Sequence, residues 1–116
     1  MARNWHINRT DDQLTLSRQL PVQFDIEAET TMPTVLRGRL AHQIRQDMWR
    51  KLQSLRGFSP AVEITSIEGG LRVRAGGRVS ANPFPKAKLE AQIQELLNSE
   101  SHRSRWLASA RSQEVT

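Results

Sequence analysis

The chain has 116 residues, 37% of them hydrophobic and 25% charged, and this composition is typical of one globular domain rather than of a disordered segment. The absence of cysteine excludes disulfides, thiolate catalysis and cysteine-ligated zinc. The net charge of +5, from 17 Lys and Arg against 12 Asp and Glu, favours an anionic partner.

The first ten residues are polar apart from Trp5 and Ile7, and they are interpreted as a loose arm or a short edge strand. They contain no apolar run of the kind that a signal peptide needs, and no stretch of about 18 apolar residues follows. We therefore expect a cytoplasmic protein without a membrane partner. The predicted boundaries are a flexible arm at residues 1–12, a single α+β domain at 13–111 and a flexible tail at 112–116.

Hydrophobic residues alternate with polar ones from about Gln13 to Glu29, a period of two that is typical of a strand with one buried face. Pro21 interrupts this run and cannot donate a ladder hydrogen bond, so the pattern predicts two short strands or one bent strand. The even-numbered apolar positions are Leu14, Leu16, Leu20, Val22, Phe24, Ile26 and Ala28.

A long amphipathic helix is predicted from about Pro33 to Arg56. Its apolar residues recur every three or four positions, proline suits a first helical turn, and Gly57 is a typical helix stop. Residues 33–58 carry six basic side chains and one carboxylate, Asp47, so their excess charge equals that of the whole chain. The apolar stripe consists of Leu36, Leu40, Ile44, Met48, Leu52 and Leu55.

A β-hairpin is predicted around Glu68-Gly69-Gly70, followed by a helix from Lys86 and a last helix from about Glu100 to Ala110. Ser99 is the expected N-cap of the last helix, which carries Trp106 inward. The predicted fold class is α+β: a small antiparallel sheet of three or four strands, covered on one face by the long helix, with one or two C-terminal helices.

One flank of the predicted long helix combines an aromatic ring with cations. His42, Arg45, Trp49 and Arg56 fall within about 60° of one another at 100° per residue. Cations neutralise phosphates and flat side chains stack on bases, so we hypothesise a basic domain that binds nucleic acid, RNA rather than DNA. The arginines of the predicted hairpin extend this surface if they lie beside the helix. The candidate nucleic-acid-binding residues are therefore Arg37, His42, Arg45, Trp49, Arg56, Arg72, Arg74 and Arg78.

Two other interpretations stay open. In one, Trp49 packs inside and the arginines are simply solvated, since arginine makes up most of the cations and this bias is also typical of a GC-rich genome. In the other, the protein is an assembly adaptor, with homo-oligomers among its forms, that uses the helix or the acidic strand residues Asp25, Glu27 and Glu29 against a protein partner.

No motif indicates an enzyme, a metal or a cofactor. The Gly-Gly segments lack the spacing of phosphate-binding loops, and the three histidines are too far apart for a local metal motif. No serine lies in a nucleophile context. We therefore expect a non-enzymatic binding domain.

Overall fold

The computed structural model describes residues 5–111. Five strands and three helices follow one another in this part of the chain: β1 (His6–Arg9), β2 (Gln13–Ser17), β3 (Ile26–Met32), α1 (Arg37–Lys51), β4 (Phe58–Ile67), β5 (Gly70–Val79), α2 (Lys86–Asn98) and α3 (Glu100–Ala110).

The strands form one antiparallel sheet in the order β1-β2-β4-β5-β3. α1 packs on β2 and β4, α2 packs on β3, and α3 packs on α1, so the helices cover the face that carries the buried side chains of β4 and β5. The predicted α+β class is confirmed. The predicted strand number is too low, because residues 6–9, which were assigned to the flexible arm, form the edge strand β1. Residues 1–4, with which the predicted arm begins, lie outside the described residues, and so does the predicted tail.

The long helix is shorter than predicted at both ends. The middle of its apolar stripe is buried as expected, at Leu40, Ile44, Met48 and Leu52, but Leu36 is 43% exposed and Leu55 is only partly buried. The chain before Arg37 is extended, and the Leu36 N–H donates to the carbonyl of Ala110 in α3 at 2.8 Å. At the other end, residues 52–57 reverse the chain into β4. Gly57 makes this reversal possible with a φ of 69°, a backbone conformation that glycine adopts without strain. Arg56 therefore lies beyond α1, in the turn.

The alternating run from Gln13 to Glu29 is only partly strand. β2 and β3 are not neighbours, because β4 and β5 lie between them, so residues 18–25 serve as the connection that crosses the sheet. Leu20 and Val22 are consequently 61% and 37% exposed rather than buried in a strand.

The predicted hairpin is confirmed, and both of its strands are longer than predicted. The glycine pair Gly76-Gly77 does not end β5. A Cβ on Gly76 would lie 1.9 Å from the carbonyl oxygen of Ile26, and one on Gly77 would lie 2.1 Å from that of Ser59. The pair therefore allows neighbouring strands to approach closely at this level of the sheet.

α1 and α3 are joined by a buried carboxylate. Asp47 accepts hydrogen bonds from the Trp106 indole and from Arg105, both at 2.7 Å, and from Arg50 at 3.0 Å. Burial alone would raise the pKa of Asp47, but the Trp106 and Arg105 hydrogen bonds outweigh it and hold that pKa below its ordinary value. We call these four residues the Asp47 cluster. Trp106 was predicted to point inward from α3, and this prediction is confirmed. The predicted N-cap of α3, Ser99, is also confirmed.

Candidate nucleic-acid interface

A cleft of about 390 Å³ opens where α1, the start of β4 and the residues flanking β1 and β2 meet. Its lining contains three aromatic rings and two guanidinium groups, but no Asp or Glu. We call it the aromatic cleft. It is lined by Trp5, Arg18, Gln19, Arg45, Trp49, Phe58, Ser59 and Pro60.

Trp49 lies at the mouth of the aromatic cleft near the C-terminal end of α1. Its side chain is 45% exposed, so it does not widen the buried stripe of the helix. The ring stacks on Phe58, with centroids 6.4 Å apart and planes 8° from parallel. One face of the indole is thus held by Phe58, and the residue presents a fixed, flat surface to the cleft.

The opposite wall consists of Trp5 and the two arginines that cover it. The Arg45 guanidinium lies 4.6 Å from the centroid of Trp5, and that of Arg18 lies 5.6 Å from it. A guanidinium group held against an aromatic ring is fixed in its orientation. Two cations and two indoles are therefore placed together at one end of α1.

Further cations follow the groove between α1 and β1 away from the aromatic cleft. Arg37, at the start of α1, donates to the carbonyl of Thr10 in the β1–β2 turn at 3.4 Å. A Nη atom of Arg9 lies 3.6 Å from the position of a Cβ built on Gly38. Since α1 rises about 1.5 Å per residue, the line from Arg37 to Trp49 is about 18 Å long.

Three arginines beside this groove take no part in the ion pairs found within residues 5–111. They involve Arg50, Lys51, Arg74 and Arg105 as cations, whereas Arg9, Arg18 and Arg37 form none with a described carboxylate. The surface between α1 and β1 thus combines these arginines with aromatic rings at one end, and the exposed Asp11 and Asp12 of the β1–β2 turn lie at the other end.

His42 lies on α1 as predicted, but it adds no charge at neutral pH. Burial of the imidazole, assisted by the nearby Arg45 charge, lowers the pKa of His42 below its ordinary value of 6.5. A ring nitrogen of His42 lies 3.3 Å from an Arg45 Nη atom. The residue therefore positions a cation of the aromatic cleft instead of being one.

The hairpin arginines do not extend the surface of α1. Arg72, Arg74 and Arg78 point away from the buried side chains of β5, on the sheet face opposite the helices. Arg74 is ion-paired with Glu27 and with Glu63.

The other hairpin arginines also lie apart from the aromatic cleft. Arg72 is exposed, and Arg78 donates to the side-chain oxygen of Gln23 at 3.1 Å. The condition set for these residues, a position beside the helix, is not met. Of the eight candidates, only Arg45 and Trp49 line the cleft; Arg37 lies further along the same groove.

Three residues of the aromatic cleft were missed by the sequence reasoning. Trp5 and Arg18 flank the β1–β2 hairpin, and Phe58 begins β4. The one signal for Trp5 was a large aromatic residue in an otherwise polar segment. Nothing local connects Trp5 with Arg45, because the sheet order alone places β1 beside β2 and hence near α1.

In the part of the chain that the structure describes, no group of three or more His, Asp or Glu side chains is arranged to hold a metal ion. No helix among residues 5–111 is long and apolar enough to cross a bilayer. Comparison of the chain with protein-family models, with curated proteins and with solved structures finds no match. The function is therefore argued from the site itself.

Proposed function

We propose that this protein is a non-enzymatic nucleic-acid-binding domain that takes single-stranded RNA into the aromatic cleft. The observation that carries the proposal is the half-exposed Trp49 ring in a cleft lined by two arginines and no carboxylate. A base stacked on such a ring contributes about 1–3 kcal/mol, and phosphates provide the matching negative charge.

The geometry favours a single strand over a duplex. Leu40, Ile44 and Met48 bury one face of α1 against the sheet, and α1 is followed by β4 rather than by the second helix of a helix-turn-helix unit. The flank of α1 that faces β1 carries the aromatic cleft, and stacking there requires bases that are not paired or stacked. The groove from Trp49 to Arg37 offers the backbone of such a strand a line of cations.

The test is a fluorescence-anisotropy titration of a labelled single-stranded RNA of about 12 nucleotides, compared with a duplex of the same sequence. We expect tighter binding of the single strand, weakened between about 50 and 200 mM salt, since each phosphate contact contributes about −0.7 to the log–log slope. The double variant Arg18→Glu/Arg45→Glu should bind weakly, with a flatter slope.

Arg72→Glu is the control, because it reverses an exposed charge on the opposite face of the sheet. It should bind like the wild type. Equal affinities for the double variant and the control, or a preference for the duplex, would contradict the proposal. Trp106 is fully buried, so quenching of intrinsic fluorescence by RNA would report on Trp5 and Trp49.

The adaptor hypothesis stays open as the alternative. Of its acidic strand residues, Glu29 is exposed, whereas the Glu27 N–H donates to Glu90 and the Glu27 carboxylate pairs with Arg74. Asp25 accepts a hydrogen bond from the Val79 N–H, which lowers its pKa below the ordinary value.

A further inference from the structure

β1 is the free edge of the sheet. The Thr10 N–H donates to the carbonyl of Gln13 at 2.8 Å, so these two residues form a hydrogen-bonded pair of the β1–β2 ladder. Because such pairs alternate in an antiparallel ladder, the N–H and C=O groups of Trp5, Ile7 and Arg9 point away from β2. Within residues 5–111, no side chain hydrogen-bonds to these groups.

The opposite edge, β3, is covered. Its outward groups at alternate residues are bound by side chains of α2 and α3: Glu90 accepts from the Glu27 N–H, Gln94 donates to the Glu29 carbonyl, and Arg103 donates to that of Thr31. A covered edge cannot pair with another strand. The two edges of this sheet therefore differ, and among the described residues only the β1 edge has no side-chain partners.

The free edge also carries exposed apolar side chains. Ile7, on the sheet face that bears α1, is 47% exposed, and Leu20 and Val22, 61% and 37% exposed, lie in a groove beside β1 together with His6 and Asn8. Edge strands that stay in solvent are usually protected by charge, proline or a bulge, and β1 contains no Pro, Lys, Asp or Glu and a single arginine, Arg9. An apolar patch beside an unpaired strand is typical of a protein interface.

We propose that a second copy of this chain adds to β1, antiparallel, in the register that places Ile7 against the partner's Ile7. This register is self-complementary, because it alone matches all three outward residues, with Trp5 opposite the partner's Arg9 and Arg9 opposite the partner's Trp5. Each edge then satisfies the other, and the two sheets become one continuous sheet.

The dimer adds a residue to each aromatic cleft. Trp5, Ile7 and Arg9 project toward α1, as the Arg45 contact to Trp5 and the approach of Arg9 to Gly38 show. The partner's Arg9 thus lies beside Trp5 on the sheet face that bears α1, on the side of the ring that is turned away from β2 and Arg18. This consequence for RNA rests on the proposed function, whereas the dimer itself rests on the free edge alone.

The first test is sedimentation velocity of the nuclease-treated full chain over a range of concentrations. The wild type should shift from monomer to dimer. Ile7→Pro removes an N–H that the monomer does not use, so the fold should persist while the dimer is lost. Thr31→Pro is the matched control, a proline at an outward position of the covered edge β3, and it should still dimerise.

The second test examines the register. Ile7→Lys and Ile7→Glu should each be monomeric, because the proposed symmetry places two like charges together. An equimolar mixture of the two should form a heterodimer, since the charges are then opposite. A wild type that stays monomeric, a dimer that survives Ile7→Pro, or variants whose mixture does not associate would overturn the proposal.

The proposed dimer and the proposed RNA binding can each be contradicted without the other. Trp49→Ala should lose RNA and keep the dimer, because Trp49 lies on α1 and not on the β1 edge. If the wild type dimerises without binding RNA, the dimer stands and the proposed function falls. If RNA binds to a strictly monomeric protein, the reverse holds.

Discussion

On the flank of α1 that faces α3, Trp106 and Arg105 surround the buried carboxylate of Asp47, whereas on the flank that faces β1, Trp49 and Arg45 line a cleft without a carboxylate. The residue types are the same, but the outcomes differ. Trp106 is fully buried because its N–H has an acceptor, and Trp49 is 45% exposed. The difference is that an acid joins one tryptophan–arginine cluster into a contact between two helices, whereas the other cluster leaves part of its indole surface exposed to solvent.

The largest effect is expected from removing the acid. Asp47→Ala leaves the buried Trp106 N–H without its acceptor and two arginines without their counterion, which should cost about 3 kcal/mol of unfolding free energy. Urea denaturation measures this loss. Arg50→Ala removes only an exposed partner of the same carboxylate and should cost less than about 1 kcal/mol. A cost for Asp47→Ala as small as that of Arg50→Ala would show that the Asp47 cluster does not stabilise the fold.

Acid should weaken the same cluster, although less than removing the side chain, since a neutral carboxyl still accepts from Trp106. The pKa of Asp47 is lowered in the folded protein from an ordinary value of 3.8. Its contribution is therefore fully present above that value and is lost as the pH falls from there through the folded pKa. Urea denaturation from neutral to acidic pH measures it. Asp47→Asn should flatten part of the pH dependence and leave the part due to Asp25.

Substitutions of Trp49 test the flank of α1 that faces β1. Trp49→Ala should cost no more than about 1.5 kcal/mol of stability, because the ring is half-exposed and loses mainly its stack on Phe58. The Kd for single-stranded RNA should rise about tenfold or more, as expected for the loss of one stacked base. Trp49→Phe, which keeps a flat ring, should retain most of the affinity. Equal binding by all three proteins would leave the aromatic cleft without a ligand-binding role.

Arg74 and Arg45 allow a comparison between a cation that lies between two carboxylates and one that lines the aromatic cleft. Arg74→Gln removes the cation between Glu27 and Glu63 and should cost about 1 kcal/mol or less, because the pairs are partly exposed to solvent. The anisotropy titration should give an unchanged Kd and salt slope. Arg45→Gln should raise the Kd instead. An effect of Arg74→Gln on RNA binding that matches that of Arg45→Gln would mean that the ligand contacts the opposite face of the sheet.

The smallest effect is expected at His42. Because the pKa of His42 is lowered, the imidazole is neutral at pH 7 and contributes no charge to phosphate binding. His42→Gln should therefore leave the Kd for RNA at pH 7 within about twofold, and the wild-type Kd should not change between pH 7 and pH 8. A marked loss of affinity at pH 7 would indicate that the ring contacts the ligand directly.

Much of the fold was predictable because its signals are local. The apolar stripe of α1, the alternating hairpin strands and the Ser99 cap of α3 each depend on residues a few positions apart. The predicted strand at Leu20 and Val22 was wrong because the same alternation appears in a segment that must cross β4 and β5. The helix ends were wrong for a related reason, since the positions of α3 and β4 decide where the chain leaves α1.

The amino-acid sequence by itself determined an α+β domain and a basic helix that bears Arg45 and Trp49, because helical periodicity places those side chains on one flank. Only the tertiary structure decided which groups the arginines meet, since the partners are distant in sequence: Asp47 meets Arg105, Glu63 meets Arg74, and Trp5 meets Arg45. Periodicity determines the direction in which a side chain points, whereas the sheet order determines what it meets there.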